Sequence, residues 1–392
     1  MIVLKCSGGF IIKLSNKKLL LAAVIVFAAL LVSLAWWGLL ANRQGGIPQI
    51  ETPIIPAQEN ESKDIPEEPF AASVAKRLDT PWALGFLPDC GIIFTERAGR
   101  IRLIDAKGLL PDSLLTIDEV AHTGEGGLLG IAVHPDFTRN PFVYVYYTYR
   151  NNTDLANKVV RFKMQGNNLL DEKLIIDGIP GASIHDGGRI KFGPDGFLYI
   201  TTGDAAISNS AQDKNSLAGK ILRLNDDGTI PANNPFPGSP VYSSGHRNPQ
   251  GLAWDDIGRL WATEHGSQAY DELNLIEPGK NYGWPDIRGD ETAQGLTGPV
   301  LHSGTDTWAP TGIAYFEGSL FFAGLRGQSL FEVIVDEKPA FRRHLDRNFG
   351  RLRDVVAGPD NYLYILTSNR DGRGVPAEDD DRIIRINPNK LK

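Results

Sequence analysis

The sequence predicts an all-β protein, a six-bladed β-propeller preceded by an N-terminal transmembrane helix. Three observations support this. A short strand-like segment returns six times, about every 45 to 60 residues, across most of the chain. The 392 residues include 42 glycines and 25 prolines, a composition that favours many short strands joined by tight turns. One uncharged apolar run, residues 19–41, is long enough to cross a bilayer.

The first 41 residues predict a membrane anchor. Residues 1–18 form a basic cytoplasmic tail that ends in Lys17 and Lys18, and residues 19–41 carry no charge. About 20 apolar helical residues span the hydrocarbon core, and the lysines before them place the N-terminus in the cytoplasm. A cleaved signal peptide is the alternative, but its apolar region is usually only about 7–15 residues long. We therefore expect a single-pass cell-membrane protein with a periplasmic or extracellular body.

Residues 42–69 predict a proline-rich linker between the membrane and the body. Proline recurs there among glutamine, glutamate, asparagine and serine. Such a composition cannot bury a core and favours an extended chain, which would hold the body away from the bilayer.

The chain has two cysteines, Cys6 and Cys90. They lie on either side of the predicted membrane span, where they could not pair with each other. The sequence therefore predicts two free thiols.

The charge distribution argues against nucleic acid as a partner. The chain carries 40 basic and 47 acidic residues, and residues 1–43 contain basic residues but no acidic one. The body is therefore more acidic than the formal charge of -7 indicates. Proteins that neutralise phosphates need clusters of lysine and arginine on their surface.

The region 70–392 is predicted to be the propeller. In each copy of its repeat, a turn rich in Asp, Gly or Asn precedes a short β-branched or aromatic run. The six copies are residues 89–94, 141–146, 195–200, 258–261, 318–322 and 361–366. One four-stranded sheet per copy cannot bury both faces alone, so six sheets would close into a ring. A two-sheet sandwich is the alternative, but it rarely needs a chain of this length. Loops at one end of a ring converge on its central channel, where we expect the site.

His185 stands in the first of four segments whose residues carry chemistry. Asp186 follows it, and Gly187 and Gly188 then permit unusual backbone geometry and close approach of a ligand. Imidazole at a channel mouth is suited to taking a proton from a hydroxyl near neutral pH. A purely structural histidine is the alternative.

The second segment places Arg247 beside Asn248, within residues 245–252. The two side chains supply fixed donors suited to carboxylate or quinone oxygens. A solvated loop with ordinary surface ions is the alternative.

The third segment, residues 264–285, combines carboxylates, amides and carbonyls next to glycine over about 20 residues. These groups are the oxygen ligands that calcium prefers. Acidic loops are, however, usually just solvated, and that alternative stays open.

The fourth segment contains Arg351 and Arg353, with Arg326 upstream. Two arginines separated by one residue share a face of a strand and repel each other, unless an anion or carboxylates lie opposite. Pairing with Asp346 and Asp354 is the structural alternative. The functional interpretation is an anion with several carboxylates.

These four segments, in this order, resemble the soluble quinoprotein sugar dehydrogenases, also called glucose/sorbosone or aldose sugar dehydrogenases. The likeness runs from about residue 78 to residue 386 and includes several further motifs. They are Thr-Pro-Trp-Ala-Leu at 80–84, Gly-Glu-Gly-Gly-Leu-Leu-Gly at 124–130, His-Pro-Asp-Phe at 134–137, Leu-Ala-Gly-Lys-Ile-Leu-Arg at 217–223 and Asn-Tyr-Gly-Trp-Pro at 281–285. About eight motifs in register make the resemblance specific.

The resemblance implies a six-bladed propeller that uses pyrroloquinoline quinone and calcium. His185 matches the general base that takes the proton from the substrate hydroxyl while hydride passes to the quinone. Arg247 and Asn248 match residues that hold the cofactor, and Arg326 stands where the family often has lysine. Glu125 stands where glucose-oxidising members have glutamine. A carboxylate beside an acidic cofactor must be protonated, paired or turned away.

The resemblance also assigns the remaining cofactor and metal positions. Arg351 and Arg353 match the residues of the family that bind the cofactor carboxylates. The main-chain carbonyls of Gly266 and Ser267 match the segment that ligates the cofactor's calcium. Glu272 and Tyr282 match a further calcium site of the family.

The function expected on this basis is oxidation of an aldose-type sugar at its C1 hydroxyl to the lactone. The residues identify neither the preferred sugar nor the electron acceptor. A calcium-dependent lactonase-type hydrolase is one alternative, although it needs carboxylate side chains around its metal and no arginine cluster. A non-catalytic binding propeller is another, although it would be free to lose His185 and Arg247.

Overall fold

The structure is a computed structural model that describes residues 69–335 and 340–391. Within these residues the chain forms 25 strands and two short 3-10 helices, Ser208–Ala211 and Pro388–Lys390. The strands lie in six antiparallel sheets. The prediction of an all-β, six-bladed propeller is confirmed.

The strands follow one another blade by blade. The first strand, β1 (Ala71–Ala75), belongs to the last blade. Blade 1 contains β2 (Pro81–Phe86), β3 (Ile92–Glu96), β4 (Arg100–Asp105), β5 (Gly108–Leu109) and β6 (Leu115–Thr116). Blade 2 contains β7 (Leu128–Val133), β8 (Phe142–Asn151), β9 (Asp154–Gln165) and β10 (Asn168–Pro180). Blade 3 contains β11 (Ile190–Phe192), β12 (Leu198–Thr202), β13 (Lys220–Leu224) and β14 (Val241–Ser244).

The second half of the ring repeats the arrangement. Blade 4 contains β15 (Pro249–Trp254), β16 (Leu260–Glu264), β17 (Glu272–Ile276) and β18 (Leu301–His302). Blade 5 contains β19 (Pro310–Phe316), β20 (Ser319–Gly324), β21 (Leu330–Ile334) and β22 (Ala340–His344). Blade 6 contains β23 (Leu352–Ala357), β24 (Leu363–Thr367) and β25 (Ile383–Ile386), with β1 as its outer strand.

The six repeated segments of the sequence are the second strands of the six blades, β3, β8, β12, β16, β20 and β24. Nearly every residue of these strands is buried, so they form continuous apolar runs instead of alternating ones. Each blade packs between two neighbours, and a strand in its middle is covered on both faces. Inner strands of neighbouring blades are in contact, β23 against β2 included, and between blades 3 and 4 the second strand β12 contacts the inner strand β15.

The ring is closed by the N-terminal strand. Strand β1 pairs antiparallel with β25, and Ala71 lies opposite Ile386. The last blade therefore takes its strands from both ends of the described chain. This pairing ties the first and the last strand of the described chain into one blade and so holds the ring closed.

Two predictions about the N-terminal part have different outcomes. No helix in the described part of the chain is both long enough and apolar enough for a membrane span. The predicted anchor, residues 19–41, and most of the linker lie outside the described residues. Cys90 is a disulfide cysteine, so the prediction of a free thiol is wrong at this position. The prediction for Cys6 lies outside the described residues.

Strand direction brings distant segments of the sequence to one mouth of the tunnel. In each blade the inner strand runs away from this mouth and the second strand runs back towards it. Residues just before an inner strand and just after a second strand therefore lie at the same end of the ring. Glu125, His185, Arg247 and Arg351 precede inner strands, whereas His265 and Arg326 follow second strands.

Candidate active site

The mouth defined by these loops opens into a cavity that residues from all six blades line. It holds about 450 Å³ of space, part of it open to solvent. Its lining residues include Trp82, Arg97, Glu125, Asp186, Gln250, His265, Leu325, Arg353, Asp371 and Arg373. We call this space the site cavity. Two of the predicted site residues, Glu125 and Arg353, line it directly.

His185 forms a hydrogen-bonded pair with a carboxylate. The distance from its Nδ1 atom to Oδ1 of Asp204 is 2.8 Å, and the Asp204 side chain is only 1% exposed. The other carboxylate oxygen accepts a hydrogen bond of 2.8 Å from Nε1 of Trp284. A carboxylate in this network acts as an acceptor, so Nδ1 carries the hydrogen and Nε2 keeps its lone pair. The pair therefore prepares Nε2 to accept a proton.

The backbone around His185 is held in an uncommon conformation by close contact with blade 3. His185 has a φ of 64° and Gly187 one of 63°, both in the left-handed region. Gly203 ends the second strand of this blade, and a Cβ atom there would lie 1.8 Å from the His185 carbonyl oxygen. Only glycine allows this approach. The glycines thus fix where the imidazole stands.

Glu125 is ionised and paired. Its Oε2 atom accepts a hydrogen bond of 3.1 Å from the main-chain N–H of His185, and its Oε1 atom lies 2.7 Å from Nη1 of Arg373. Burial acts to raise the pKa of Glu125, but the contacts with Arg373 and His185 outweigh it and lower the pKa to about 2. Of the three options that the sequence left for this carboxylate, the structure shows pairing.

Arg247 and Asn248 lie on the loop that enters blade 4, next to the His185 loop. The Arg247 guanidinium is positioned by Trp284, whose ring centre lies 5.4 Å from Cζ, and by the carbonyl of His265 at 3.2 Å. Burial lowers the pKa of Arg247. Asn248 is buried, and its Oδ1 atom accepts a hydrogen bond of 3.0 Å from the N–H of Gly187. Asn248 therefore holds the backbone that carries His185.

The two arginines of blade 6 differ in how they are paired. Nη2 of Arg351 lies 2.8 Å from the buried carboxylate of Asp371, and Nη1 of Arg353 donates to Oε1 of Gln250 at 2.9 Å. Burial alone would raise the pKa of Asp371, but Arg351 outweighs it and the pKa lies below its usual range. The two carboxylates that the sequence offered as partners for these arginines have other partners. Asp354 pairs with Arg189, and Asp346 lies near Arg343.

The floor of the site cavity holds two arginines with unused hydrogen-bond donors. The Nε atoms of Arg97 and Arg353 are buried and have no hydrogen-bond partner among the described residues. Burial lowers the pKa of Arg353 to about 9. The charges of Arg97 and Arg351 lower it as well, whereas the charge of Asp371 acts to raise it. Buried donors without partners are rare, because each costs roughly 1–3 kcal/mol. The cluster is suited to an anion with several acceptor oxygens.

Arg326 lies further out than the other predicted arginines. It follows Leu325, which lines the site cavity, but its own side chain is exposed. It forms no hydrogen bond or ion pair with any residue that the structure describes. Arg326 therefore stands at the rim of the cavity, where it could reach a ligand only by reorienting.

The residues predicted to bind metal form two separate groups. Gly266 and Ser267 lie on the loop after β16, which Asp271 fixes by accepting a hydrogen bond of 2.9 Å from the N–H of Gly266. Glu272 lies in β17, opposite Glu264 of β16. Burial and the charge of Glu264 raise the pKa of Glu272 to about 8. The carbonyl loop and the glutamate pair are thus different candidate positions.

The Tyr282 hydroxyl already has partners. It donates to the carbonyl of Leu275 and accepts a hydrogen bond of 2.9 Å from the N–H of Glu277. Its ring stacks on His246 at 4.9 Å. Only the main-chain carbonyl of Tyr282 is left to act as a metal ligand. Among residues 69–335 and 340–391, no group of three or more His, Cys, Asp or Glu side chains could hold a metal ion.

Reasoning from the sequence gave no role to several residues at this mouth of the tunnel. Arg97, Asp204 and His265 each follow the second strand of a blade by one or two positions. Aligning the six repeats would have placed them at the same mouth as Arg326. Asp371 and Arg373 lie on an irregular loop of blade 6, and no repeat position points to them.

Comparison with known proteins agrees with this geometry. The family model described as glucose/sorbosone dehydrogenase matches residues 78–383. Aldose sugar dehydrogenase YliI of Escherichia coli is 33% identical over 76% of this chain and 89% of its own length. Quinoprotein glucose dehydrogenase B of Acinetobacter calcoaceticus is 35% identical over 70% of this chain and 61% of its own length.

A solved structure is similar to this chain over most of its length. The PQQ-bound form of the aldose sugar dehydrogenase from Streptomyces coelicolor superposes with a TM-score of 0.76 at 44% identity, over 80% of this chain and 96% of that one. A family match across most of the chain and relatives similar over most of its length establish the kinship. The chain belongs to the glucose/sorbosone dehydrogenase family of oxidoreductases.

Proposed function

We propose that this protein oxidises the C1 hydroxyl of an aldose-type sugar to the lactone, with pyrroloquinoline quinone and calcium as cofactors and His185 as the general base. One observation carries the proposal. A histidine oriented by a buried aspartate stands on a loop whose next two residues, Asp186 and Gly187, line the cavity that also holds arginines with unpartnered donors. A base and an anion site at one mouth are what proton removal next to an acidic redox cofactor requires.

The arginines of the cavity floor fit the quinone cofactor. The cofactor carries three carboxylates, and the unpartnered Nε atoms of Arg97 and Arg353 would find acceptors in them. Arg351 would add charge from its position on Asp371. Arg247 and Asn248 lie beside the His185 loop, where they would help to hold the cofactor. Glu125 would approach the cofactor as a carboxylate already neutralised by Arg373.

Calcium fits the carbonyl loop after β16. No described residue donates a hydrogen bond to the carbonyl oxygens of Gly266 or Ser267, and Asp271 keeps their loop in place. Main-chain carbonyls are common calcium ligands. Glu272, with the main-chain carbonyl of Tyr282, is the second candidate, because a cation there would favour the charged form of a carboxylate that burial otherwise disfavours.

Each residue of the site would have its own role in the reaction. Nε2 of His185 takes the proton from the C1 hydroxyl, and Asp204 stabilises the imidazolium that forms. Held by Arg97, Arg351 and Arg353, the quinone would supply the hydride acceptor that this oxidation needs. Arg247 contacts the Trp284 ring that also holds Asp204, and its guanidinium would stabilise negative charge on the cofactor. Trp284 contacts both Asp204 and Arg247 and so fixes their relative positions.

The lactonase-type alternative is less well supported by the residues of the site. A hydrolase of that class needs several carboxylate side chains around one metal, and the described residues contain no such group. It also has no use for the buried arginines. A non-catalytic propeller, in turn, would not need the His185–Asp204 pair.

We also propose that residues 19–41 anchor the protein in the cell membrane and that residues 42–69 tether the propeller, 70–392, on the extracytoplasmic side. Under this proposal the electron acceptor would be a membrane-bound or periplasmic redox partner. Protease treatment of intact spheroplasts tests the arrangement. Digestion of the propeller with the N-terminal tail protected supports it, whereas full protection contradicts it.

Reconstitution tests the chemical proposal. The purified full chain is mixed with pyrroloquinoline quinone and calcium, and aldoses are added together with an artificial electron-acceptor dye. Sugar-dependent bleaching that requires both cofactors supports the proposal. Lactone turnover without bleaching would favour the hydrolase, and failure of the quinone to bind would favour the non-catalytic propeller.

A further inference from the structure

The central tunnel has a second cavity at the end opposite the site cavity. It holds about 840 Å³ of space, part of it open to solvent, against about 450 Å³ for the site cavity. The same inner strands line both spaces, because each strand begins at one mouth and ends at the other. Strand β2 contributes Trp82 to the site cavity and Phe86 to this second one, which we call the far cavity.

A group of contacting side chains connects the linings of the two cavities. Gln250 lies at its centre, with Oε1 2.9 Å from Nη1 of Arg353 and its carbonyl 2.9 Å from Nε of Arg189. The Trp82 ring lies against both guanidinium groups, 4.4 Å from Cζ of Arg189 and 5.7 Å from Cζ of Arg353. Arg353 lines the site cavity, whereas Arg189 lines the far cavity.

The walls of the far cavity are apolar. Every blade contributes at least one aliphatic or aromatic residue from its inner strand. These residues are Leu84, Phe86, Ile131, Val133, Ile190, Phe192, Leu252, Ile313, Val355 and Val356. A partly open apolar space of this size has the dimensions of a small-molecule site.

The charged groups of the far cavity do not balance. Arg189, Lys191 and Asp354 all line it. Asp354 is committed to Arg189, with Oδ2 2.9 Å from Nη1, and its Oδ1 atom accepts the N–H of Val355 at 3.0 Å. Lys191 forms no ion pair among the described residues, and its Nζ atom contacts only the carbonyl of Leu252 at 3.3 Å. One positive charge is therefore left over.

Arg189 adds an unused donor. It is 6% exposed, and its Nη2 atom is buried without a hydrogen-bond partner among the described residues. A guanidinium donor and an ammonium group together suit a carboxylate. The net charge of the three groups suits a single negative charge, since a second one would be buried without compensation.

We propose that the far cavity binds a small monocarboxylate with an apolar body, whose carboxylate Lys191 and Arg189 hold and whose body packs between the inner strands. This site is separate from the cofactor site, and the proposal does not depend on the chemistry at His185. It assigns a role to a lysine and a guanidinium donor that the ring itself does not use.

Binding of octanoate to the full chain, followed by isothermal titration calorimetry, tests the proposal. Acetate carries the charge without the apolar body, and 1-octanol carries the body without the charge. We expect octanoate to bind at least tenfold more tightly than either. Equal binding of octanoate and 1-octanol would overturn the assignment of a carboxylate site.

Variants locate the binding. Lys191→Met should weaken octanoate at least tenfold, Lys191→Arg should keep most of the affinity, and Lys107→Met, at an exposed turn, should change nothing. Arg189 is left intact because it holds Gln250 and Asp354. Octanoate should also bind in the presence of saturating pyrroloquinoline quinone. Full competition by the quinone, or an unchanged affinity in Lys191→Met, would refute the far cavity as the site.

Discussion

Asp204 accepts a hydrogen bond from Nδ1 of His185 at 2.8 Å, and the same carboxylate accepts one from Trp284 on the following blade. The imidazole is thus oriented by a group that is itself held from a second direction. Such an arrangement fixes the tautomer before a substrate arrives and lowers the reorganisation needed for proton transfer.

Replacing His185 by alanine should remove turnover without removing cofactor binding. A positioned general base contributes roughly 10²- to 10⁴-fold to the rate, so we expect kcat to fall by that range. Titration with the quinone should give a nearly unchanged affinity, because the arginines remain. His344→Ala, on the outer strand β22 of blade 5, is the matched control. Near-normal rates in His185→Ala would remove the general-base assignment.

Asp204→Asn should lower kcat by at least about 10²-fold, because an amide can stabilise the wrong tautomer of His185 and does not stabilise the imidazolium. The effect should vanish in a His185→Ala background, since the aspartate acts through the histidine. Trp284→Phe, which keeps the carboxylate, should cost much less. Equal losses for Asp204→Asn with and without His185 would mean that the aspartate acts independently.

The two arginines of blade 6 should respond differently to substitution by methionine. Arg353→Met removes a buried, incompletely paired charge, so cofactor affinity should fall while the cofactor-free protein keeps its stability or gains some. Arg351→Met leaves Asp371 buried without its partner, which should weaken the cofactor and also destabilise the protein by about 3 kcal/mol. Cofactor titration and thermal unfolding of each variant measure both effects. The opposite pattern of stabilities would contradict the pairing described here.

The Glu125–Arg373 contact should give a pH-dependent contribution to stability. The pKa of Glu125 is lowered to about 2 in the folded protein, so its stabilisation is present above the ordinary value near 4.5 and is lost as the pH falls towards 2. Glu125→Gln should therefore destabilise the protein at pH 7, by about 1–2 kcal/mol because Arg373 is largely exposed. The difference should shrink below pH about 4.5. Urea unfolding of both proteins from pH 7 to pH 3 measures it, and a constant difference would contradict the pairing.

Glu125→Gln should also strengthen binding of the acidic cofactor by a few fold, because it removes a negative charge from the cavity lining and frees Arg373. Arg373→Gln provides the converse control, since it leaves Glu125 unneutralised. We expect it to weaken the cofactor. Identical affinities in all three proteins would show that the pair lies beyond the reach of the cofactor carboxylates.

Much of the fold could be predicted because propeller repeats leave a simple pattern. The second strand of each blade is covered on both faces, and runs such as Ile92-Ile93-Phe94 and Leu363-Tyr364-Ile365 therefore stand out from their surroundings. The outer strands are partly exposed and give no comparable signal. Their bounds, and the long hairpin of β9 and β10, could not be predicted.

The site could be predicted only where a motif or a repeat position marks it. His185 and Arg353 could be singled out because they stand in recognisable segments, and Arg353 lines the site cavity. Asp204 was missed because an aspartate after a strand is common and its partner lies 19 positions earlier. The Glu125–Arg373 contact joins residues 248 positions apart through an irregular loop, and no local pattern predicts such a pairing.

The pairing of β1 with β25 leaves the two ends of the described chain side by side, with the N–H of Asn387 donating to the carbonyl of Phe70 at 2.9 Å. A short peptide that joined residue 391 to residue 69 would let the polypeptide start instead in the exposed loop around residue 292. Such a circular permutant would move the break from blade 6 to blade 4 and leave the tunnel and both of its mouths unchanged. The ring therefore does not depend on which blade comes first in the chain, because each blade keeps the same two neighbours in the permutant.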